Sequence, residues 1–230
     1  MSAAARLLST FLVSTCERGS CAGRDGVMWL PAVTITVTYW SLEQTSPDDL
    51  RPAVSSADLG EVPIRRAEVR MPEHNRFLYT AVGVDVPWTD RLGWTHEQWS
   101  EFLARPGVET WVAYVSGTPA GYVELDAQER GVVEISYLGL IAAFRGKGLG
   151  GHLLSFGTSR AWDLAERWPD RAPTSRVWVR TSTRDGEYAL ANYERRGFRI
   201  FETTTVDEPR QPMPEPWPGA HGAALAWSSG

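Results

Sequence analysis

A glycine-rich segment in the second half of the chain has the residue types of a phosphate-binding loop. Residues 145–151 have the sequence RGKGLGG and lie between a predicted strand and a predicted helix. Glycine lets the backbone approach a ligand closely, and the first N–H groups of the following helix lack partners within it, at the positive end of its dipole. Arg145 and Lys147 add positive charge. The segment therefore predicts a site for a phosphate or pyrophosphate.

This segment has four interpretations: three kinds of phosphate-binding loop, and a glycine turn that only packs the helix on the strand. The P-loop pattern is excluded because Lys147 is followed by Gly148 and not by a hydroxyl residue. The dinucleotide pattern G-x-G-x-x-G is present at Gly146, Gly148 and Gly151. That loop belongs after the first strand of a parallel βαβ unit, with an acidic residue ending the next strand. Here it follows hairpins and the next strand ends in Arg180, which disfavours a dinucleotide site.

The third pattern, [Q/R]-x-x-G-x-[G/A], is met by Arg145, Gly148 and Gly150. Downstream, residues 189–198 (ALANYERRGF) are similar to an A-x-x-x-Y-x-x-x-G-F signature. With these two motifs in this order, the chain resembles the GNAT superfamily of acyl-CoA-dependent N-acetyltransferases. The strand at 135–140 (ISYLGL) resembles the central strand of that family, which splays from the next strand and admits the pantetheine arm of coenzyme A.

The resemblance covers roughly residues 60–205 and implies acetyl-CoA as co-substrate, with no metal required. It assigns to the coenzyme Leu138, Leu140, Arg145, Gly146, Lys147, Gly148, Leu149, Gly150 and Asn192. One position departs from the family pattern. The Asn that many members carry three residues before the signature's Ala falls at Gly186, so Asp185 or Asn192 is expected to substitute for it.

Acetyl transfer from a thioester to an amine also needs a proton for the departing thiolate and a polarised carbonyl. Tyr193 matches the signature tyrosine, and the resemblance implies that its hydroxyl protonates the thiolate. The alternative is that its ring simply packs under the sheet. A backbone N–H near Leu140 on the splayed strand is expected to polarise the carbonyl.

A general base is useful because a lysine-like amine, with a pKa of about 10.4, is mostly protonated at pH 7. Glu134 lies eleven residues before Arg145, which resembles the base position of some family members, and Glu124 lies on the partner strand. Alternation predicts both glutamates on the face opposite to the apolar residues Val123, Leu125, Val133 and Ile135. Facing carboxylates and partial burial raise the pKa of at least one of them. Two alternatives stay open: both glutamates lie idle in solvent, or a water chain replaces a dedicated base.

The acceptor side is expected from the region before the hairpins. Trp88 and Asp90, with Trp94 and Trp99, form an aromatic and charged cluster there. This cluster is either a wall of the substrate pocket or core packing against the sheet. Arg76 is expected to pair with a polar acceptor or with Asp90.

The elements that position these residues follow from the hydrophobic pattern. Strands are predicted at 33–42, 111–115, 120–126, 132–140, 177–181 and 198–205. Helices are predicted at 73–82, 95–103, 148–167 and 188–196, with Gly197 at the left-handed cap position of the last. This order predicts an α/β fold of the GNAT type. Its central sheet is mixed but mostly antiparallel, splayed at the coenzyme site, and carries helices on both faces.

The composition excludes several other classes. Of 230 residues, 43% are hydrophobic and 22% are charged, which is typical of a globular protein. A net charge of -5 disfavours a nucleic-acid partner. Cys16 and Cys21 are the only cysteines, and four scattered histidines lack ligand spacing, so neither a disulfide framework nor a metal site is expected. The absence of a long apolar run predicts no transmembrane helix and no membrane partner.

Residues 1–32 are expected to be a disordered or mis-annotated arm, 33–206 the acetyltransferase domain, and 207–230 a Pro-rich disordered tail. The sequence thus predicts a cytoplasmic N-acetyltransferase, monomeric or homodimeric. It would transfer the acetyl group of acetyl-CoA to a primary amine of a small molecule or peptide by direct attack in a ternary complex. A non-catalytic acyl-CoA-binding sensor on the same fold is the alternative.

Overall fold

The structure of the protein, a computed structural model, describes residues 34–53, 60–86 and 88–209. The strands are β1 (Thr34–Gln44), β2 (Ile64–Arg66), β3 (Val108–Val115), β4 (Thr118–Ala127), β5 (Val132–Leu140), β6 (Arg176–Ser182) and β7 (Arg199–Pro209). The α-helices are α1 (Pro72–Gly83), α2 (His96–Ala104), α3 (Leu149–Trp162), α4 (Leu164–Arg167) and α5 (Ala189–Arg195). The predicted arm at 1–32 and residues 210–230 of the predicted tail lie outside the described residues, whereas 207–209 form the end of β7.

The seven strands form one mixed sheet in the order β2-β3-β4-β5-β6-β1-β7. Every neighbouring pair is antiparallel except β5 and β6, which run parallel. Their pairing ends at Ile135 and Val179, although β5 continues to Leu140 and β6 to Ser182. The two strands therefore diverge beyond this point, and the predicted mixed, splayed sheet is confirmed.

Helices cover both faces of the sheet, as predicted, and alternation along the strands decides what each face buries. On one face α3 packs against the main core, where Val123 of β4 and Ile135 of β5 are almost fully buried. On the other face α1 supplies Leu78 and Val82 against Tyr122 of β4. The β4–β5 pairing has a register shift between Glu124 and Leu125, so Tyr137 of β5 lies opposite Glu124 on the face of Tyr122 that α1 covers.

The strand β1 is an interior strand of the sheet, next to the edge strand β7. The sequence alone allows this strand to pair either within the chain or with a second copy. In the structure β1 pairs antiparallel with β6 on one side and with β7 on the other. The last strand of the chain is thus held to the rest of the sheet through the first.

Two elements differ from the sequence prediction. β2 was not predicted, because three residues are too few to show alternation. The helix predicted at 148–167 is two helices, with non-helical backbone at Asp163 between α3 and α4. The carboxylate of Asp163 pairs with Arg160 and Arg167, both at 2.5 Å, and so joins the ends of the two helices.

Candidate active site

The glycine segment leads into the first turn of α3, and a short 3-10 helix (Ala142–Phe144) separates it from the splayed end of β5. Gly146 and Gly148 have φ values of 76° and 74°, a left-handed conformation that favours glycine. Gly148 is the N-cap residue of α3, and no side chain among the described residues caps this turn. A Cβ atom built at Gly146 would meet no atom within 4 Å. Gly146 and Gly148 are both exposed, so the uncapped start of α3 lies at an accessible surface, which suits a diphosphate.

Arg145 has its guanidinium turned toward the protein. Its Nε donates to the carbonyl of Leu140 at 3.0 Å, and its terminal nitrogens donate to the carboxylate of Asp85 at 2.5 and 2.8 Å. A further contact joins it to the carbonyl of Val82 at 3.3 Å. This side chain links the C-terminal end of α1 to the end of β5. Because the guanidinium is engaged within the protein, a coenzyme contact at this position would use the backbone of Arg145. Lys147 lies half-buried in the loop.

Several predicted coenzyme residues surround the first turn of α3. A Cβ atom built at Gly151 would lie 3.3 Å from Oδ1 of Asn192, and one at Gly150 would lie 3.7 Å from Leu140. Leu149 is fully buried, so it can offer the coenzyme only its backbone. Leu138 is partly buried against the main core on the splayed part of β5.

Asp185 and Asn192 are the two residues expected to replace the family's Asn. Of these, Asn192 lies beside the glycine loop. The carboxylate of Asp185 instead accepts from the hydroxyl of Thr181 at 2.7 Å and from the backbone N–H of Ser182 at 2.8 Å. Asp185 therefore closes the turn after β6.

Tyr193 lies on α5 with its ring in the main core, 6.0 Å from the ring of Phe198. Only 7% of the residue is exposed. Burial, assisted by the charge of Asp185, raises the pKa of the phenol above its ordinary value. Tyr193 therefore keeps its proton at neutral pH, which a proton donor requires.

The two glutamates lie on the same face of the sheet but in different surroundings. Glu124 is buried and accepts from Arg91 at 2.8 Å, and burial raises its pKa although Arg91 opposes the rise. Glu134 is half-buried opposite Asp126 and accepts from Nε2 of Gln128 at 2.7 Å. Burial and the charge of Asp126 raise the pKa of Glu134 to about 7. Glu134 is thus a carboxylate that can take up a proton near neutral pH.

In the segment between α1 and α2, Arg91 links Glu124 to an aromatic cluster. Arg91, whose side chain is only 8% exposed, lies over the rings of Phe102, Tyr137 and Trp94 at 4.2, 4.4 and 4.6 Å. The pattern of the sequence did not single out Arg91, because its partner Glu124 is 33 positions away. A Trp-Thr-Asp-Arg segment carries no signal for such a distant partner.

The predicted acceptor residues divide between this cluster and the surface. The ring of Trp88 packs 4.8 Å from that of Tyr137, and the carboxylate of Asp90 accepts from the hydroxyls of Tyr79 and Tyr137. Trp88 thus packs against the sheet and is half-buried there, so part of its surface stays accessible. Arg76 is exposed on α1 and does not pair with Asp90.

The described segments show neither a metal group nor a membrane span. They bring together no three His, Cys, Asp or Glu side chains able to hold a metal ion. None of their helices combines the length and hydropathy needed to cross a bilayer.

An open mixed sheet with a glycine-rich turn at its splay is the architecture of an acetyltransferase of the GNAT type. The sequence model of the Acetyltransferase (GNAT) family matches residues 70–198, more than half of the chain, and the chain belongs to this family. No curated protein matches it.

Two solved structures have a similar fold. A GCN5-related N-acetyltransferase from Kribbella flavida is 17% identical, with a TM-score of 0.54 over 77% of this chain and 61% of that one. Another from Sphaerobacter thermophilus is also 17% identical, with a TM-score of 0.52 over 75% of this chain and 51% of that one. At these identities the likeness shows the fold. The chain spans about three-fifths of the first structure's length and about half of the second's.

Proposed function

We propose that the protein is an N-acetyltransferase that transfers the acetyl group of acetyl-CoA to a primary amine of a small molecule or peptide. One observation carries this proposal: the uncapped first turn of α3 follows the splayed end of β5 after only a short 3-10 helix and a glycine turn. A diphosphate on the N–H groups of 146–151 would leave the pantetheine arm free to enter the gap between β5 and β6.

The residues around this gap suit the coenzyme. The N–H groups of Gly146, Gly148 and Gly150 supply donors for a diphosphate, and the Asn192 amide supplies a further polar contact. Beyond Ile135, the side of β5 that faces β6 is no longer paired with that strand. The backbone around Leu138 and Leu140 can therefore bind the amides of pantetheine. When bound, acetyl-CoA supplies the acetyl group as an activated thioester.

The chain itself supplies the proton transfers. Glu134, with its pKa raised to about 7, accepts the proton of the acceptor ammonium directly or through water. Tyr193 stays protonated until the thiolate departs and then gives it a proton, and the second proton that the acceptor nitrogen loses as the amide forms restores the phenol. Glu124 is held by Arg91, so in this proposal it acts on Glu134 through its charge. Both substrates are bound together, and the amine attacks the thioester directly.

On the acceptor side, Trp88 and Asp90 remain our proposed contacts because both touch Tyr137 on the splayed half of β5. Arg76, exposed on α1, is proposed as an outer contact. We place the reaction in the cytoplasm, with the protein as a monomer or homodimer and without nucleic-acid or membrane partners.

The direct test is the release of free coenzyme A from acetyl-CoA with a panel of primary amines, followed by a thiol reagent and by the mass of the acetylated product. We expect release that depends on both the amine and the protein. Binding of acetyl-CoA without release for any amine would favour the sensor and contradict the enzyme.

A further inference from the structure

A cavity of about 360 Å³ lies on the sheet over β6, β1 and β7. Trp178 of β6 lines it and alternates with Val177 and Val179, which are buried in the core under α3. The cavity is therefore on the opposite face, the one that carries Glu134. α1 and α2 pack on β3, β4 and β5, and leave this part of the face open.

One end of the cavity lies at Gln128, the hydrogen-bond partner of the proposed general base. Gln128 lines the cavity and donates to the carboxylate of Glu134 at 2.7 Å, while its own carbonyl accepts from the indole of Trp178 at 3.3 Å. Arg180, another lining residue, directly follows Val179, the last residue of β6 that pairs with β5. The cavity thus extends from Gln128, which contacts Glu134, to Arg180 at the start of the splay.

The guanidinium of Arg180 is the cation of this cavity that no carboxylate neutralises. It lies 4.1 Å over the ring of Tyr39 and forms no ion pair within the described ranges. The other arginine of the cavity, Arg176, pairs with Glu43 at 2.5 Å and covers the ring of Phe201. Because the aromatic ring holds this exposed guanidinium in place, two of its N–H groups can donate hydrogen bonds to one carboxylate.

The opposite wall carries the opposite charge. Ser41 of β1 pairs with Arg180 of β6 on one side and with Glu202 of β7 on the other. Two strand spacings separate the two charged residues by about 10 Å. Glu202 lines the cavity and accepts from the Ser41 hydroxyl at 3.5 Å. An anionic group is attracted to the Arg180 end, near the splay, and repelled from the Glu202 end.

The lining of the cavity is mostly polar, but it includes two aromatic residues. Trp178 is half-buried, and Phe201 is 44% exposed although its ring lines the cavity. Two rings beside one unpaired cation suit a ligand that combines an apolar group with an anion.

We propose that the cavity binds an acceptor whose carboxylate lies beside its amine, such as an α-amino acid. The carboxylate contacts Arg180 next to the splay, and an apolar side chain extends between Trp178 and Phe201. This inference rests on the proposed function, since only an acetyltransferase makes the amine the reacting group. It narrows the acceptor from primary amines in general to amino-acid-like amines.

The test compares L-phenylalanine with L-phenylalanine amide, which differ in the carboxylate, as acceptors in the coenzyme A release assay. The wild-type protein is expected to prefer the acid by about tenfold or more in kcat/KM, as befits a charge-assisted hydrogen bond. Arg180→Gln is expected to remove most of this preference. Arg65→Gln changes an exposed strand arginine on β2, at the far edge of the sheet, and is expected to retain it.

A second readout does not need turnover. Titration calorimetry with N-acetyl-L-phenylalanine, which lacks a reactive amine, should show binding that weakens about tenfold or more in Arg180→Gln and not in Arg65→Gln. Arg180-dependent binding without acetylation of any amine would contradict the proposed function and support the cavity. Equal reaction of the acid and the amide, or a titration without Arg180 dependence, overturns the inference about the cavity. The proposed function then stands if amines are acetylated in the coenzyme A release assay.

Discussion

At the scale of single residues, burial suits Glu134 to accept a proton and Tyr193 to retain one in the proposed reaction. Removing either group from water disfavours its charged form and raises its pKa. For the carboxyl of Glu134 this brings the pKa to about 7, where the group can both accept and release a proton. For the phenol of Tyr193 it keeps the proton in place. Burial therefore provides both the ionisable base and the protonated donor that the proposed acetyl transfer needs.

The pH dependence of the reaction should depend on Glu134. A base acts in its ionised form, so its contribution is absent well below pH 7, rises through the pKa of about 7 and is constant above it. Glu134→Gln should lower kcat/KM by about 100-fold above pH 8. Because the amine titrates equally in both assays, the ratio of wild-type to variant rates isolates Glu134. That ratio should rise through pH 7, whereas the exposed Glu101→Gln should give a ratio near one throughout.

Tyr193→Phe should separate catalysis from packing. The ring stays in the core, so unfolding by urea should change little, while loss of the hydroxyl should lower kcat by about 100-fold with acetyl-CoA affinity retained. Tyr188→Phe is the matched control, since this tyrosine is 72% exposed immediately before α5. Equal activities of the two variants would show that the phenol of Tyr193 only packs.

At the scale of elements, the ion pair between Arg91 and Glu124 attaches the α1–α2 segment to β4. Both side chains are buried, so removing one partner leaves a buried charge without compensation. Arg91→Met should lower the free energy of unfolding by about 3–5 kcal/mol in urea titrations. Arg91→Met combined with Glu124→Gln should recover part of the loss.

Arg105 provides the control for this ion pair. Its bond to Asp126 is similar in length, 2.6 Å, but its side chain is 48% exposed. The side chain of Asp126 is only 10% exposed, but water can reach the place that the Arg105 guanidinium leaves, so Arg105→Met should cost less than Arg91→Met. Equal losses for Arg91→Met and Arg105→Met would mean that the burial of the Arg91 pair has no energetic consequence.

The junction between α5 and β7 depends on Gly197. Its φ is 91°, and a Cβ atom there would lie 1.8 Å from the carbonyl oxygen of Asp49. Gly197→Ala should reduce stability by more than about 2 kcal/mol, since both the backbone conformation and the contact oppose it. At Gly186 a Cβ atom would meet nothing within 4 Å, so Gly186→Ala should leave the unfolding midpoint nearly unchanged.

At the scale of the whole molecule, the sequence predicted the features that have local causes. Alternation at β5, the turn between β3 and β4, and the left-handed glycine after α5 each depend on neighbouring residues, and the structure contains all three. The place of β1 between β6 and β7 was open because strand pairing is a long-range choice. The interaction of Arg145 with Asp85 escaped prediction for the same reason, as 60 positions separate the two residues.

The candidate site follows the same division. The glycine loop and Tyr193 were recognisable as motifs in a continuous stretch of sequence. Arg91 and Gln128, which surround the two glutamates, carry no motif and acquire their positions only when the sheet forms. The cavity beside Arg180 is likewise made from three strands that are far apart in the chain.

A crystal structure of the protein with coenzyme A tests the central claim most directly. The account predicts that the diphosphate accepts hydrogen bonds from backbone N–H groups within 146–151 and that the sulfur lies in the gap beyond Ile135, within reach of the Tyr193 hydroxyl. Coenzyme bound at any other surface, or with its sulfur outside this gap, would contradict the account.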